Sequence, residues 1–498
     1  MSEVRKKSLV ATVYIYIGFV FGAINIFLFS RFFLPEQYGL TRVLLDLTIL
    51  FASMAALGSP TLLTKFYPYY RDRLPAKNID LIVLALAVGT VGLILLIIGI
   101  LAFKPLIIRK FSGKSPLLVD YFYMVIPLTM FLVYFTILEA HAWNQFRSVV
   151  SNLFREVVFR IANLVIIVAY LLHWISFHTF IVLFSCLYIV CFLGLLTYML
   201  YKKELPLSFR ISPLTRRLWK KMTPYVLFIL GGNIVLMLSQ TIDGIIISSM
   251  LGLEYTAVFA LASYLCTVIV VPQRSVVSLA FPIVARAWKE RDMAKLEDVY
   301  RKSSINLLLI AAFLFTIIWI NFDDALTVLK LDPLYRESKP ALLFLALAKI
   351  VELGTGVNGQ IIITSRKWKF ELYSNIILLI FMLPVNYILI KYYGLIGAGI
   401  ASFLSLTLFN TIRFLFLQRN FQLQPFTAKT IMAVILPVAA YFLIVYLVNI
   451  PNPWLNIFVR SVLFVGIYAF AVFKWRISED AIQVFHTLRG RVARMRRR

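Results

Sequence analysis

From Leu81 to Phe103 the chain runs for 23 residues without a charged side chain. Coiled as an α-helix, such a run is roughly 35 Å long, enough to cross a bilayer core of roughly 30 Å. Met222 to Ile242, Tyr255 to Gln273, Ser303 to Phe322, Leu372 to Ile390 and Tyr392 to Ile412 are uncharged runs of similar length. Ile161 to Tyr201 reads as two spans joined by a turn at His173–His178, and Thr430 to Val459 holds one span and the entry to the next. Only 15% of the residues are charged and 61% are hydrophobic, whereas a soluble domain carries roughly a quarter charged residues. The solvent of this chain is therefore largely lipid. The alternating segments of about 10 residues that build membrane β-barrels are absent. The expected class is all-α: a polytopic integral membrane protein with about 14 transmembrane helices. Their expected positions are 8–30, 38–58, 79–103, 117–140, 153–172, 177–201, 222–249, 255–284, 303–321, 340–364, 370–391, 394–417, 429–449 and 454–473.

The formal charge of +27 would suit a nucleic-acid partner, but its distribution argues otherwise. With both termini cytoplasmic, the inner segments hold 36 of the 50 Lys and Arg. That is the positive-inside bias of a membrane protein, so no nucleic-acid partner is expected. The basic tail "RGRVARMRRR" is expected to rest on anionic lipid head groups. "RKK" precedes about 23 apolar residues, too long for a signal core, and no small-x-small site follows, so the first span is not expected to be a removable signal. Cys186, Cys191 and Cys266 fall within spans as small core residues, with no disulfide or metal pattern and no cofactor motif.

The longest inner connection, "KKELPLSFRISPLTRRLWKK" at 202–221, reads as a basic hinge linker. The chain repeats on either side of it. "RFFLPEQYGLTRVLLDL", a span and "KFYPYYRDR" are matched by "SSMLGLEYTAVFALASY", a span and "AFPIVARAWKERD". The six spans separating the repeats give them the same orientation, so two parallel lobes are expected, an arrangement typical of transporters. The expected organisation is an N-terminal lobe 1–201, the linker 202–221, a C-terminal lobe 222–417, two further helices in 418–473 and a basic tail 474–498. Pro127, Pro272, Pro384 and Pro437 interrupt spans, which lipid tolerates where the freed backbone finds partners or lines a cavity. Gly18 and Gly22 in "GFVFG" form a small-xxx-small packing face.

Catalytic patterns are thin. "GKS" at 113–115 lacks the first glycine of a phosphate loop, residue 108 being Ile, and neither H-E-x-x-H nor G-x-S-x-G occurs. His173 and His178 flank an outer turn. Glu139 and His141 end span four and read as a solvated helix end rather than a proton path. The informative residues are charges inside spans, which are costly there and default to functional hypotheses. Arg42 and Asp46 share a face by i,i+4 spacing. They read either as a neutralised pair with Arg42 snorkelling outward or as cavity groups. The second reading is preferred because Phe259 and Ser263 hold the matching positions in the other half. Glu156 and Arg160 lie near the inner surface, where a local pair is the simpler reading. Lys349 and Glu352 lie near mid-span. Arg274 follows Pro272 with no acid nearby in sequence, and an unpaired Arg at that depth needs a water-filled cavity or an anionic ligand. Asp243 either caps or pairs locally. Guanidinium forks match phosphate, so a cavity with several cations suits a phosphate-bearing substrate.

Three stretches carry a resemblance. They are "SRFFLPEQYGL" with "LGSPTLLTKFYP", then "TPYVLFILGGNIVLMLSQTIDGIIISSMLGLEYTAVFALASY", and finally "NGQIIITSRKWKFELYSNIILLIFMLPVNYILIKYYGLIGAGIAS". In them Pro224, Asp243, Gly252, Tyr255, Asn358, Gln360, Asn375, Asn386, Gly394, Gly397 and Gly399 fall in a known order. The chain resembles the polysaccharide flippases of the multidrug/oligosaccharidyl-lipid/polysaccharide (MOP) exporter superfamily over nearly its whole length. The resemblance implies a MATE-like fold of two six-helix lobes and alternating access. It also implies a lipid-linked oligosaccharide cargo for surface polysaccharide such as O-antigen or lipopolysaccharide, in a bacterial or archaeal cytoplasmic membrane. Polysaccharide polymerase and glycosyltransferases are the implied partners. No invariant catalytic set comes with it. On this reading Arg42, Arg274, Lys349 and Arg160 bind substrate, and Asp46, Asp243 and Glu352 couple a proton or sodium. The alternatives are a multidrug/cation antiporter or a lipid II flippase of the same superfamily, and then a membrane polysaccharide polymerase, against which the short outer loops argue.

Overall fold

The computed structural model describes residues 3–205, 208–478 and 480. The tail sequence at 489–498 therefore lies outside the described residues, as do residues 206 and 207 of the linker. Among the described residues all regular structure is helical. The α-helices are α1 (Glu3–Phe32), α2 (Pro35–Ala55), α3 (Ser59–Arg71), α4 (Leu81–Phe111), α5 (Pro116–Tyr121), α6 (Val125–Asn144), α7 (Ser148–Asn152), α8 (Phe159–Leu171) and α9 (Phe177–Ser185). There follow α10 (Leu187–Tyr201), α11 (Pro213–Met250), α12 (Leu253–Glu290), α13 (Met293–Val328), α14 (Ser338–Gly354), α15 (Asn358–Thr364), α16 (Lys369–Phe421), α17 (Ala428–Leu447) and α18 (Pro453–Lys474). Two starts show how local sequence sets the boundaries. Ser212 and Asn452 cap α11 and α18 through their side chains, each followed by a proline whose missing N–H costs nothing there.

Eleven of the described helices are long and apolar enough to span a membrane, or twelve if the bent pair α14–α15 counts as one span. The protein is thus a multi-pass membrane protein. Two of the 14 spans expected from sequence are hidden in that count. α16 is 53 residues long and merges two spans across Gly394, whose φ of 60° and ψ of −137° break the helix. The 153–172 span is divided, beginning as a π-helical turn at Leu153–Val158 before α8. Large apolar side chains such as Phe103, Ile380 and Phe442 stay exposed along the helices, the surface a lipid solvent requires.

The chain forms two compact units, Met1–Ala257 and Val258–Arg498. By contacts, α11 belongs with the first unit, although the sequence repeat begins the second lobe with it. In the first unit α2 is central, burying Tyr38, Leu40, Val43 and Leu44. Gly39 lies so close to the start of α12 that a Cβ there would meet the Leu253 carbonyl oxygen at 1.8 Å. The "YGL" and "LGLEY" signatures of the two repeats therefore pack on one another, which explains the glycine in mechanical terms. In the second unit α17 and α18 pack on α13. Ala433, Leu436 and Ala440 meet Leu308 and Leu309 there, and Tyr468 donates a 2.9 Å hydrogen bond to the Leu309 carbonyl.

Candidate functional site

In the first unit α2 and α11 bring Arg42, Asp46 and Asp243 together. Asp46 Oδ2 rests on the backbone of α11 at Gly244, where an added Cβ would lie 2.3 Å from it. Asp243, one residue earlier, lies within electrostatic reach of the Asp46 carboxylate, as does Arg42. Arg42 and Asp46 do not close an ion pair among the described residues. The Nε of Arg42 is buried without a hydrogen-bond partner among those residues. A simple neutralised pair is therefore not what forms. The carboxylate turns towards α11, and the guanidinium keeps an unspent donor, which is expensive in a dry setting.

Arg160 belongs to a different place in the same unit. Its Nη1 pairs with Glu156 Oε2 at 2.8 Å and reaches the Glu156 carbonyl at 3.1 Å. Gly18 of α1 packs directly on this pair, since a Cβ would sit 2.3 Å from Arg160 Nη1. The local pair expected from sequence is present, and Gly18 is a packing glycine. The π-helical turn carries a second pair. Arg155 Nη2 bonds Glu139 Oε2 at 2.9 Å, with the Glu139 side chain only 4% exposed. The expectation of a solvated helix end at Glu139 and His141 is thus corrected. Both are buried, because Arg155 supplies a counter-charge to Glu139 from the next helix, and His141 Nε2 lies 2.9 Å from the Glu204 carbonyl oxygen. Wide π turns recur at functional sites.

The linker is pinned to the first unit on both sides of residues 206 and 207. Arg147 grips the Glu204 carboxylate through Nε and Nη2, at 3.1 and 2.6 Å, which holds its guanidinium above its ordinary pKa. Buried Asp80 accepts from the Ser212 N–H at 2.8 Å and the Thr215 hydroxyl at 2.7 Å. Thr215 in turn meets Tyr70 Oη at 2.7 Å. Burial pushes the Tyr70 phenol up to about 12, so it stays a neutral hydroxyl.

In the second unit Lys349 Nζ pairs with Glu352 Oε2 at 2.8 Å, as i,i+3 spacing predicts. Lys349 also lies within electrostatic reach of the Cys266 thiol on α12. Arg274 is exposed on α12 and is not without a partner, so the unpaired guanidinium expected from sequence is not what forms. Just after Glu352 the span breaks. α14 and α15 meet at 48°, with Gly356 at φ +62°. Ser304 Oγ donates to the Gly354 carbonyl, and Ser303 Oγ accepts from the Val357 N–H at 3.3 Å. The freed backbone groups are thereby satisfied, as lipid demands. Asn358 Nδ2 donates to Thr355 Oγ1 and Asn410 Oδ1, each at 3.1 Å. Beyond them Arg413, 8% exposed, bonds Glu371 and Ser374 and lies 3.9 Å from the Phe409 ring centroid. Sequence reasoning singled out neither Arg413 nor Glu371, although both fall within expected spans. The signal available was "LGTGVNG", three glycines and an asparagine inside an apolar span.

The seven residues expected to act thus divide. Arg42, Asp46, Asp243 and Arg160 lie in the first unit, and Arg274, Lys349 and Glu352 in the second. Chemically these groups suit anion contact and carboxylate protonation. Among the described residues no group of three or more His, Cys, Asp or Glu is placed to hold a metal ion.

A family model described as "Polysaccharide biosynthesis protein" matches residues 4–288, and a second, described as "MatE", matches residues 229–388. The chain is similar to a solved structure of the lipid II flippase MurJ in an inward closed conformation, with a TM-score of 0.74, 12% identity, and coverage of 94% of this chain and 99% of that one. It is also similar to a multidrug resistance MATE family transporter of the MOP superfamily. The inward-facing form gives a TM-score of 0.65 at 16% identity, covering 83% of this chain and 98% of the other. The outward-facing form gives 0.57 at 14%, covering 84% and 96%. No curated protein matches the chain.

Proposed function

From the premise that the chain belongs to the polysaccharide biosynthesis protein family, within the MOP superfamily of flippases and transporters, we propose that it flips a polyprenyl-diphosphate-linked oligosaccharide. Movement runs from the cytoplasmic to the outer leaflet by alternating access, in a bacterial or archaeal cytoplasmic membrane with both termini inside. The product feeds surface polysaccharide assembly, alongside glycosyltransferases and a polymerase. The observation that carries this reading is the buried Arg42 Nε, a cation with an unspent donor within electrostatic reach of the Asp46 carboxylate. A diphosphate oxygen supplies the missing acceptor, and a charge-assisted hydrogen bond of that kind contributes about 1.5–3 kcal/mol. Arg42 in the first unit, and Arg274 and Lys349 in the second, act as phosphate contacts, while Arg160 stays paired with Glu156. Asp46, Asp243 and Glu352 take up the coupling proton or sodium. A cation antiporter would call for acids without these arginines. The test is transport in sealed vesicles. Arg42→Ala and Arg274→Ala should each slow glycolipid flipping at least tenfold with membrane insertion intact. Full activity in both would remove them from the site.

A further inference from the structure

The start of α11 carries a charged face that no described acid neutralises. Leu214, Leu218 and Met222 recur at i,i+4 spacing and pack inward on the core of the first unit, with Leu214 and Met222 buried. The other side of these turns carries Arg216, Arg217, Lys220 and Lys221, all exposed. Among the described residues none of the four side chains makes a hydrogen bond or an ion pair. Arg216 and Lys220 stand at i,i+4, as do Arg217 and Lys221, a spacing at which like charges repel. The segment 202–221 holds one acid, Glu204, and Arg147 already grips it. Nearby Asp80 is spent on Ser212 and Thr215. The face is therefore cationic and without counter-charge among the described residues.

Its height in the membrane decides what it meets. α10 ends a span at Tyr201, and α11 is uncharged from Met222 onward to Ile242, so the cations lie just beyond the apolar core of the bilayer. Arg216 to Lys221 covers about 7.5 Å along the helix, close to the roughly 5–7 Å of one head-group layer. Tyr201 and Trp219, 81% and 50% exposed, border the same level, and such rings settle at the membrane–water interface. We propose that this face of α11 docks anionic phospholipid head groups of the leaflet at which α10 and α11 end, their phosphates against Arg216, Arg217, Lys220 and Lys221. Charge complementarity and depth select this occupant, since a basic cluster beside a span draws anionic lipid to it. The docked lipid holds the start of α11 in the head-group layer. It does so whatever the cargo, and on whichever side of the membrane the segment lies.

A fluorophore on Thr223→Cys, an exposed position beside the cations, tests this in the full chain carrying Cys186→Ala, Cys191→Ala and Cys266→Ala. In phosphatidylcholine vesicles at low salt, phosphatidylglycerol with a nitroxide high on one acyl chain should quench it at least about threefold more than equally labelled phosphatidylcholine at the same mole fraction. Arg216→Gln, Arg217→Gln, Lys220→Gln and Lys221→Gln together should make the two lipids quench equally. Thermal unfolding should stay unchanged, because the four side chains have no described partner to lose. With the cations in place, about 1 M salt should also equalise the two lipids. Equal quenching at low salt with the cations in place, or a preference that survives the quadruple substitution or the salt, would overturn the docking. Quenching by neither lipid would put the face in water, assign it to a soluble acidic partner and overturn the docking as well.

Discussion

Replacing Gly244 by alanine perturbs the α2–α11 contact without removing any charged group. The new Cβ would lie 2.3 Å from Asp46 Oδ2, against an ordinary contact of 3.4 Å, so the carboxylate must move by at least about 1 Å. It is the free end of a side chain, and it can turn at modest cost. Overpacking costs about 1–3 kcal/mol, while Gly to Ala within a helix gains about 1 kcal/mol. The net effect on stability should lie between a gain of about 0 and a loss of about 2 kcal/mol. Its effect on transport should be larger, because a site held to about 0.5 Å is spoiled by such a shift. The double variant Gly244→Ala with Asp46→Ala removes the clash and keeps the helix gain. It should therefore be more stable than Asp46→Ala alone by about 1 kcal/mol. Thermal unfolding in detergent and flipping in vesicles, measured on all three variants, check this. Wild-type transport by a stable Gly244→Ala protein would refute the idea that the position of Asp46 against α11 matters.

Other expectations are simpler to state. Arg155→Ala should destabilise by about 3–5 kcal/mol, since it strands the buried Glu139 carboxylate. Glu139→Gln should cost clearly less, because Arg155 is 41% exposed. Equal losses in thermal unfolding would contradict the pairing. Asp80→Ala removes two acceptor contacts at the start of α11 and should cost about 2–3 kcal/mol, read as a fall in melting temperature. A cysteine at exposed Phe209 should react with a membrane-impermeant reagent only from the cytoplasmic side. Labelling from outside would reverse the topology.

The spans were legible because lipid leaves a chain so little choice: about 20 apolar residues per crossing, with the rest of the charge in the loops. The Lys349–Glu352 and Glu156–Arg160 pairs were legible for a related reason, since helical spacing alone brings them together. What stayed hidden depends on partners far apart in sequence. Glu139 looked solvated until Arg155 arrived from the next helix, and Arg413 went unnoticed because Glu371, 42 residues earlier, is the group that holds it. The α14–α15 break was hidden too, because Gly354 and Gly356 sit in a stretch as apolar as an ordinary span. Asp243 was legible as a charge in a span, but not as a neighbour of Asp46, which follows from α11 packing on α2.

The most direct test of the proposed function is a translocation assay on the unaltered protein. Vesicles carrying a polyprenyl-diphosphate oligosaccharide in the leaflet topologically equivalent to the cytoplasmic one should transfer it across in a protein-dependent manner, faster when a proton or sodium gradient is imposed. The absence of protein-dependent transfer for every glycolipid offered would contradict the account.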